Sequence, residues 1–253
     1  MIRQFVLRRL SGRRKAQIRR LRDRAKFVLQ TLMGEVGLNR QVRSEIPLIF
    51  VVGGNRSGTS LCNYIISCHP AVELITNNKE AFSIKADGHS SGYGEASHIW
   101  RSLIDPDYDV TRGEGLLWAL PSFISKLYVD SVSSVDKKRL IDELLAHRTS
   151  DRIPLVKANQ NSLRIPLIKE LFPKARFVLI TRDYKSFIES GRHKWTKDIE
   201  LLPGFADNHI DYPHIGLHWM MVNSIALYDL KKHAKEDYFH IKLEELQGER
   251  SVR

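Results

Sequence analysis

The sequence predicts an α/β fold with a central, mostly parallel sheet flanked by helices. Short apolar, β-branched runs alternate with helical stretches over much of the chain, a pattern typical of βαβ units in a parallel sheet. The first run, Ile46–Val52, is apolar on both faces, as expected of a strand buried between two layers of helices. At 253 residues, with 42% hydrophobic and 27% charged side chains, the chain has the size and composition of one globular domain with a substantial core.

The elements follow one another in a regular order. The apolar runs predict strands at 46–52, 72–76, 153–156, 176–181 and 238–243. Helical spacing predicts helices at 59–68, 116–129, 134–147, 163–171, 184–195 and 214–233, with Trp219, Met220 and Leu227 on the buried face of the last one. Residues 83–115 are rich in Gly, Ser, Asp and His without a clear period. We expect them to form a long loop of the kind that shapes binding sites.

The net charge of +11 is concentrated in an N-terminal arm. Of the 40 Lys and Arg residues, 13 lie in residues 1–44 beside only two acids, which leaves 27 basic and 27 acidic residues in 45–253. One face of this arm is apolar at helical spacing, at Ile18, Leu21, Ala25, Val28 and Leu32. We therefore predict a basic amphipathic helix in 1–44 and an α/β domain in 45–253. Such a helix suits an anionic membrane surface, a polyanionic substrate, or packing on its own domain with the basic face in solvent.

Several classes of protein are disfavoured by the sequence. Arginines interrupt any apolar core of a secretory signal in the arm, and no run of 18 apolar residues occurs anywhere. We expect a cytoplasmic location, with peripheral membrane contact through the arm left open. No basic motif interleaved with aromatic residues is present, so a nucleic-acid partner is not expected. Cys62 and Cys68 have no zinc-ligand spacing and give no disulfide framework, which favours buried thiols and no metal site.

A glycine-rich segment, Gly53-Gly54-Asn55-Arg56-Ser57-Gly58-Thr59-Ser60, joins the first strand to the first helix. We call residues 53–60 the phosphate loop. Glycines let backbone N–H groups point into such a turn, and the helix N-terminus adds about half a positive charge, so the loop suits a phosphate. Gly53 and Gly58 have the spacing of an ATP-binding P-loop, which predicts a P-loop-like three-layer sandwich. The Lys that should come next is replaced by Thr59, and the cation stands at Arg56 instead, so a kinase or NTPase is the less favoured alternative.

Arg182 follows the predicted strand 176–181, at the end where open α/β sheets bind their ligands. Ser190 lies eight residues later, a little over two helical turns on. The simple alternative for Arg182 is a surface ion pair with Asp183 or Glu189.

The two segments together resemble the motifs of the sulfotransferase family. Arg56-Ser57-Gly58-Thr59-Ser60 after an apolar strand is similar to the 5′-phosphosulfate loop, and Arg182 with Ser190 is similar to the 3′-phosphate motif. The arginine in the loop and the helix ending in His69-Pro70 look most like the bacterial and tyrosylprotein branch. The resemblance covers about residues 46–246. It implies transfer of a sulfuryl group from 3′-phosphoadenosine 5′-phosphosulfate (PAPS) to a hydroxyl, without a metal and with 3′,5′-adenosine bisphosphate (PAP) as product.

The resemblance also implies roles for single residues. The donor would be bound by Asn55, Arg56, Ser57, Gly58, Thr59, Ser60, Arg182 and Ser190. Arg56 would also stabilise charge on the transferring group, as would Lys157 at the end of strand 153–156, for which a solvated lysine is the alternative. Glu80 is the candidate general base, against the alternative of a solvated loop acid, with His89 and His98 as weaker candidates. Cytosolic members of the family carry a histidine where Asn159 stands here.

Two questions stay open at this stage. The family normally continues past the last strand and returns basic residues to the 3′-phosphate, whereas this sequence ends at Arg253; we expect either a fragment or a neighbouring segment that substitutes. The acceptor is not specified, and an acidic glycan, a lipid-linked sugar or a tyrosine would each fit. A catalytically inactive sulfotransferase-like binding protein is the third alternative.

Overall fold

A computed structural model describes residues 46–76, 96, 99–100, 128–199 and 212–247. Its centre is a five-stranded sheet of order β2-β3-β1-β4-β5 in which every pairing is parallel. The strands are β1 Ile49–Val52, β2 Val72–Ile75, β3 Ile153–Lys157, β4 Arg176–Thr181 and β5 Tyr238–Lys242. The helices are α1 Thr59–Ser67, α2 Ser134–Leu145, α3 Ile165–Leu171, α4 Tyr184–Ile199, α5 Tyr212–His233 and α6 Leu243–Gln247, with a 3₁₀ helix at Asn159–Leu163. The predicted α/β fold with a parallel sheet is confirmed.

Both faces of the sheet are covered, because alternate side chains of the central strands enter two different clusters. Phe50 and Val52 of β1 belong to the larger cluster, which includes side chains of α2, α3 and α5. Val51, between them, belongs to the other cluster with Cys62 of α1 and Leu243 of α6. A strand buried on both faces has to be apolar throughout, which explains the continuous apolar runs in the sequence. The three-layer arrangement follows from this alternation.

The predicted helix 163–171 is divided in the structure. Asn159–Leu163 forms the 3₁₀ helix, Arg164 leaves helical geometry, and α3 begins at Ile165. Pro166 lies in the first turn of α3, where its missing N–H and fixed φ favour a helix start. The chain thus turns sharply after β3, and Gln160, Asn161 and Ser162 of the 3₁₀ helix are buried at the carboxyl edge of the sheet.

The predicted buried face of α5 was partly wrong. Met220 is 52% exposed, whereas Trp219 and Leu227 are partly buried. The fully buried positions of this helix follow another stripe, at Ile215, His218, Val222, Ala226 and Leu230. Because α5 has apolar residues on more than one face, spacing alone did not decide which of them meets the sheet. The prediction of two buried thiols was also wrong in part, since Cys62 is buried and Cys68 is exposed.

Several predictions lie outside the described residues. These are the basic arm 1–44, the greater part of the loop 83–115, and the helix 116–129 except for its last two residues, which are not helical. None of the described helices is long and apolar enough to cross a membrane.

Candidate functional site

The candidate site lies at the carboxyl edge of the sheet, around the end of β1. This strand is central, with β3 on one side and β4 on the other. Val51 pairs with Lys157 and Val52 pairs with Leu179, so the phosphate loop, Lys157 and the segment after β4 begin at neighbouring points of one edge. The helices that follow β1 and its neighbour β3, α1 and α3, pack on opposite faces of the sheet. Such a topological switch point is where open α/β sheets bind ligands.

The phosphate loop has the conformation that its glycines allow. Gly53 and Gly58 have φ values of 152° and 86°, and a Cβ on Gly53 would lie 2.4 Å from the backbone oxygen of Ile180. A side chain at residue 53 would therefore collide with β4. Arg56 adopts a left-handed φ of 68°, which in a non-glycine residue costs about 1–2 kcal/mol. This strained turn presents the arginine at the exposed rim of the loop.

The beginning of α1 is open to an anion. Gly58 is its N-cap, without a side-chain capping bond, and its first turn contains no acidic residue. Backbone N–H groups at the start of a helix need acceptors, and a phosphate is one that they bind well. Thr59 and Ser60 supply hydroxyl groups at the same turn.

Polar side chains of the loop are buried. Asn55, Ser57 and Thr59 are 7%, 0% and 5% exposed. Within the described part of the chain, Ser57 Oγ has no hydrogen-bond partner although it is inaccessible to solvent. Buried polar atoms nearly always have a partner, so an unsatisfied hydroxyl in an anion-binding turn fits a site whose ligand completes the bonding.

The two predicted donor motifs come together in space. Arg56 Nε donates to Ser190 Oγ at 3.0 Å across 134 residues of sequence, and Arg182 Nη1 donates to the Arg56 carbonyl oxygen at 3.1 Å. Arg56 thus joins the two motifs, with its guanidinium on the serine hydroxyl and its carbonyl oxygen on the guanidinium of Arg182. Guanidinium groups bind phosphate oxygens through paired, charge-assisted hydrogen bonds.

The backbone around Arg182 is fixed from two directions. Trp219 Nε1 of α5 donates to the Arg182 carbonyl oxygen at 2.9 Å. Asp183, the suggested ion-pair partner, accepts hydrogen bonds through Oδ1 from the backbone N–H groups of Lys185 and Ser186 and so caps α4. This cap sets the direction of the helix that carries Ser190.

Lys157 is the last residue of β3 and is only 2% exposed. The alternative of a strand-end lysine in solvent was wrong. Its backbone oxygen accepts a hydrogen bond from Ala96 N at 2.7 Å, so part of the long predicted loop approaches the site here. A buried ammonium needs nearby polar or anionic groups, and an anionic ligand beside the loop would be one of them.

Glu80, His89 and His98 lie outside the described residues. The described residues contain no group of three or more His, Cys, Asp or Glu side chains that would hold a metal. Arg56, Lys157, Arg182 and the start of α1 place positive charge around the phosphate loop, which suits an anionic ligand.

Sequence reasoning missed two residues of the 3₁₀ helix. Ser162 Oγ accepts from Gly53 N at 2.8 Å and donates to Gly53 O at 3.0 Å. Asn161 Nδ2 donates to the backbone oxygens of Val51 and Val156 at 3.3 and 3.2 Å. The signal in the sequence was the polar run Asn159-Gln160-Asn161-Ser162, separated by two residues from the apolar run 153–156, which is unusual for a segment that begins a buried helix.

A family model described as the sulfotransferase family matches residues 47–250. The chain belongs to the sulfotransferase family. The matched region contains β1, the phosphate loop, Lys157, Arg182 and Ser190, so the predicted family is confirmed together with the fold.

Solved sulfotransferase structures resemble the chain at low sequence identity. The sulfotransferase domain from the curacin biosynthetic pathway is 16% identical, with 79% of this chain and 68% of that chain covered and a TM-score of 0.46. Sulfotransferase STF1 from Mycobacterium tuberculosis H37Rv is 15% identical, with coverage of 82% and 65% and a TM-score of 0.47. Sulfotransferase STF9 from Mycobacterium avium is 18% identical, with coverage of 79% and 59% and a TM-score of 0.46. The chain thus spans about two thirds or less of the length of these three structures, and no curated protein sequence matches it.

Proposed function

We propose that this sulfotransferase family member transfers a sulfuryl group from PAPS to a hydroxyl of its acceptor. The observation that carries the proposal is the contact of two separate motifs, in which Arg56 of the phosphate loop donates to Ser190 while Arg182 donates to Arg56. These are the residues whose spacing resembles the two phosphate motifs of PAPS-binding proteins. Their meeting at the switch point of the sheet supports one donor site built from both.

The positions of the side chains and the resemblance to the family motifs support the following roles. The open start of α1, with Ser57, Thr59 and Ser60, binds the 5′-phosphate, and Asn55, buried in the same loop, belongs to the same donor site. Arg182 and Ser190 bind the 3′-phosphate. When bound, PAPS supplies the activated sulfuryl group.

Arg56 and Lys157 act on the charge that develops as the S–O bond breaks. Fixed cations in a partly buried site stabilise such charge better than water does, because they need no reorganisation during the reaction. The acceptor hydroxyl loses its proton to a general base, for which Glu80 is our candidate. No metal is required in this scheme, since the cations of the chain neutralise the transferring group.

For the acceptor we propose a hydroxyl on an acidic glycan, a lipid-linked sugar or a tyrosine. The basic arm 1–44 favours an anionic acceptor or an anionic membrane surface beside it, because opposite charges raise the local concentration. We propose a cytoplasmic location with peripheral membrane contact, and no nucleic-acid partner.

Ligand binding tests the donor assignment directly. PAP is expected to stabilise the protein against thermal unfolding, by about 2.7 kcal/mol at a concentration of 100 times its Kd, and ATP with Mg²⁺ is not expected to reproduce the effect. Arg182→Ala should weaken PAP binding at least tenfold. Arg176→Ala is the matched control, because Arg176 is exposed at the opposite end of the same strand. Stabilisation by ATP with Mg²⁺ alone would favour a kinase or NTPase and would refute the proposal.

Transfer itself needs a separate assay. Labelled PAPS should be offered with a panel of glycans, lipids and tyrosine peptides, and transfer to one class identifies the acceptor. Binding of PAP without transfer to any of them, together with unchanged biological activity of Arg56→Ala, would indicate an inactive binding protein.

A further inference from the structure

Ser162 makes an unusual pair of bonds to the first residue of the phosphate loop. Its side chain is fully buried. Oγ accepts from Gly53 N at 2.8 Å and donates to Gly53 O at 3.0 Å. One hydroxyl therefore bonds to both backbone polar groups of a single glycine.

Gly53 is the point at which the chain leaves β1 and enters the loop. Its φ of 152° lies outside the range that side-chain-bearing residues favour, and its Cα lies against the backbone of Ile180 on β4. A rotation at this residue would displace every N–H group that follows in the turn. Glycine resists such rotation less than any other residue, so the order of the loop depends on contacts from outside it. Ser162 provides such a contact on one side and β4 provides another.

Asn161 anchors the same segment to the sheet. Its Nδ2 donates to the carbonyl oxygens of Val51 on β1 and Val156 on β3, at 3.3 and 3.2 Å. Its Oδ1 accepts from the indole Nε1 of Trp100 at 2.8 Å, and both side chains are fully buried. The bridge crosses from β1 to β3 where Val51 pairs with Lys157. It thus ties the strand that ends in the phosphate loop to the strand that ends in Lys157.

We infer that Ser162 is a positioning residue for donor binding, and that Asn161 and Trp100 hold it in place. The side-chain hydrogen bonds of Ser162 go to Gly53 and not to a residue proposed to bind the donor. Ser162 therefore acts on the donor site through Gly53. A carboxamide and a hydroxyl buried at this edge keep the turn in its anion-binding shape before the ligand arrives, so less of the binding energy is spent on ordering the loop. This inference rests on the proposed function, because the ligand it concerns is PAPS or PAP.

The test uses the variant Ser162→Ala. Calorimetry measures its affinity for PAP, and urea unfolding measures its stability. The variant is expected to bind PAP at least tenfold more weakly than the wild type. Ile168→Val is the control, because Ile168 is fully buried on α3 in the large core cluster, and we expect its substitution to lower stability without altering the loop. The control is expected to keep wild-type affinity. Affinity of Ser162→Ala within twofold of the wild type, or an equal loss in the control, would overturn the inference.

Two further measurements separate the possible failures. If the wild type itself does not bind PAP, the proposed function fails, and Ser162 is then judged from amide exchange in the wild type. Gly53 N–H should be protected, and exchange at the rate of a free loop amide would contradict its bond to Ser162. If Ser162→Ala does not fold, Ser162→Cys is the replacement, because its thiol is of similar size and bonds more weakly to Gly53. Its affinity for PAP should lie between that of the wild type and the tenfold weaker affinity expected for Ser162→Ala. Wild-type affinity in Ser162→Cys would count against the inference.

Discussion

Ser57 carries a fully buried hydroxyl group, yet within the described residues its Oγ bonds to nothing. Removing a hydrogen-bonding group that has a partner destabilises a protein, whereas removing an unsatisfied one has little effect or stabilises it. The same atom would gain a partner when a phosphate occupies the turn. Stability and binding therefore respond differently to its removal.

Ser57→Ala is expected to leave the free energy of unfolding of the free protein within about 0.5 kcal/mol of the wild type, or to raise it, while it lowers the affinity for PAP about tenfold. Urea unfolding without ligand and calorimetry with PAP measure the two quantities. A variant that loses stability and keeps full affinity would show that the hydroxyl is structural.

Lys157 is the residue for which binding and catalysis should separate. It is buried at the end of β3 and, in the proposed scheme, acts on the transferring group, which PAP does not contain. Lys157→Met keeps the aliphatic length and removes the charge. We expect transfer from labelled PAPS to fall by about 10²–10³-fold, as when one stabilising donor is removed from an active site, with PAP affinity within threefold of the wild type. Undiminished transfer would exclude Lys157 from the chemistry.

At the scale of single elements, β2 is fastened to the turn before β3 by one carboxylate. Glu73 is 5% exposed. Its oxygens accept hydrogen bonds from the backbone N–H and side-chain hydroxyl groups of both Thr149 and Ser150. Burial would raise the pKa of Glu73, but these four hydrogen bonds outweigh it, and the pKa lies below its usual value of 4.5. The charged form is therefore the one that the fold stabilises.

Glu73→Gln is expected to destabilise the protein by about 1–3 kcal/mol at pH 7, since one amide cannot accept all four bonds. Because the folded pKa is the lower one, the contribution of Glu73 is complete above pH 4.5 and is lost as the pH falls through the folded value. The difference between variant and wild type should shrink in acid. Urea unfolding at pH 7 and at successively lower pH measures this, and a difference that grows in acid would contradict it.

The elements differ in how much of them the sequence could predict. The predicted bounds of β4, 176–181, are the observed ones. Its apolar run ends just before Arg182, and such a run is typical of a buried strand. The phosphate loop, Arg182 and Ser190 were predicted as donor-site residues from their resemblance to the family motifs, and the structure places Arg56 in contact with both Ser190 and Arg182. The hydrogen bonds of Asn161 and Ser162 to the backbone of β1, β3 and Gly53 were missed, because spacing along the chain does not show which buried polar groups meet across the sheet. The exposed side of α5 was missed for a similar reason, since Met220 and Val222 are equally apolar and only contact with the sheet separates them.

For the described domain as a whole, one ionisable group outside the proposed donor contacts is expected to make stability depend on pH. The cations of the site gather at the carboxyl edge, around the end of β1. Behind the loop, His218 of α5 is fully buried and stacks on Phe187, with 6.1 Å between ring centroids. Phe187 also lies beside Gly54 of the phosphate loop. The packing around this ring therefore depends on whether His218 is protonated.

Burial lowers the pKa of His218 from 6.5 to about 3, so the folded protein keeps this ring neutral. The unfolded chain binds a proton below pH 6.5 and the folded chain does not, so stability is complete above pH 6.5 and falls as the pH drops toward 3. One such group contributes a slope of about 1.4 kcal/mol per pH unit. His218→Leu should remove that slope, whereas Phe187→Leu alters the packing of the same ring and should retain it. Urea unfolding between pH 7.5 and 5 measures both variants, and an unchanged slope in His218→Leu would show that other groups account for the loss of stability in acid.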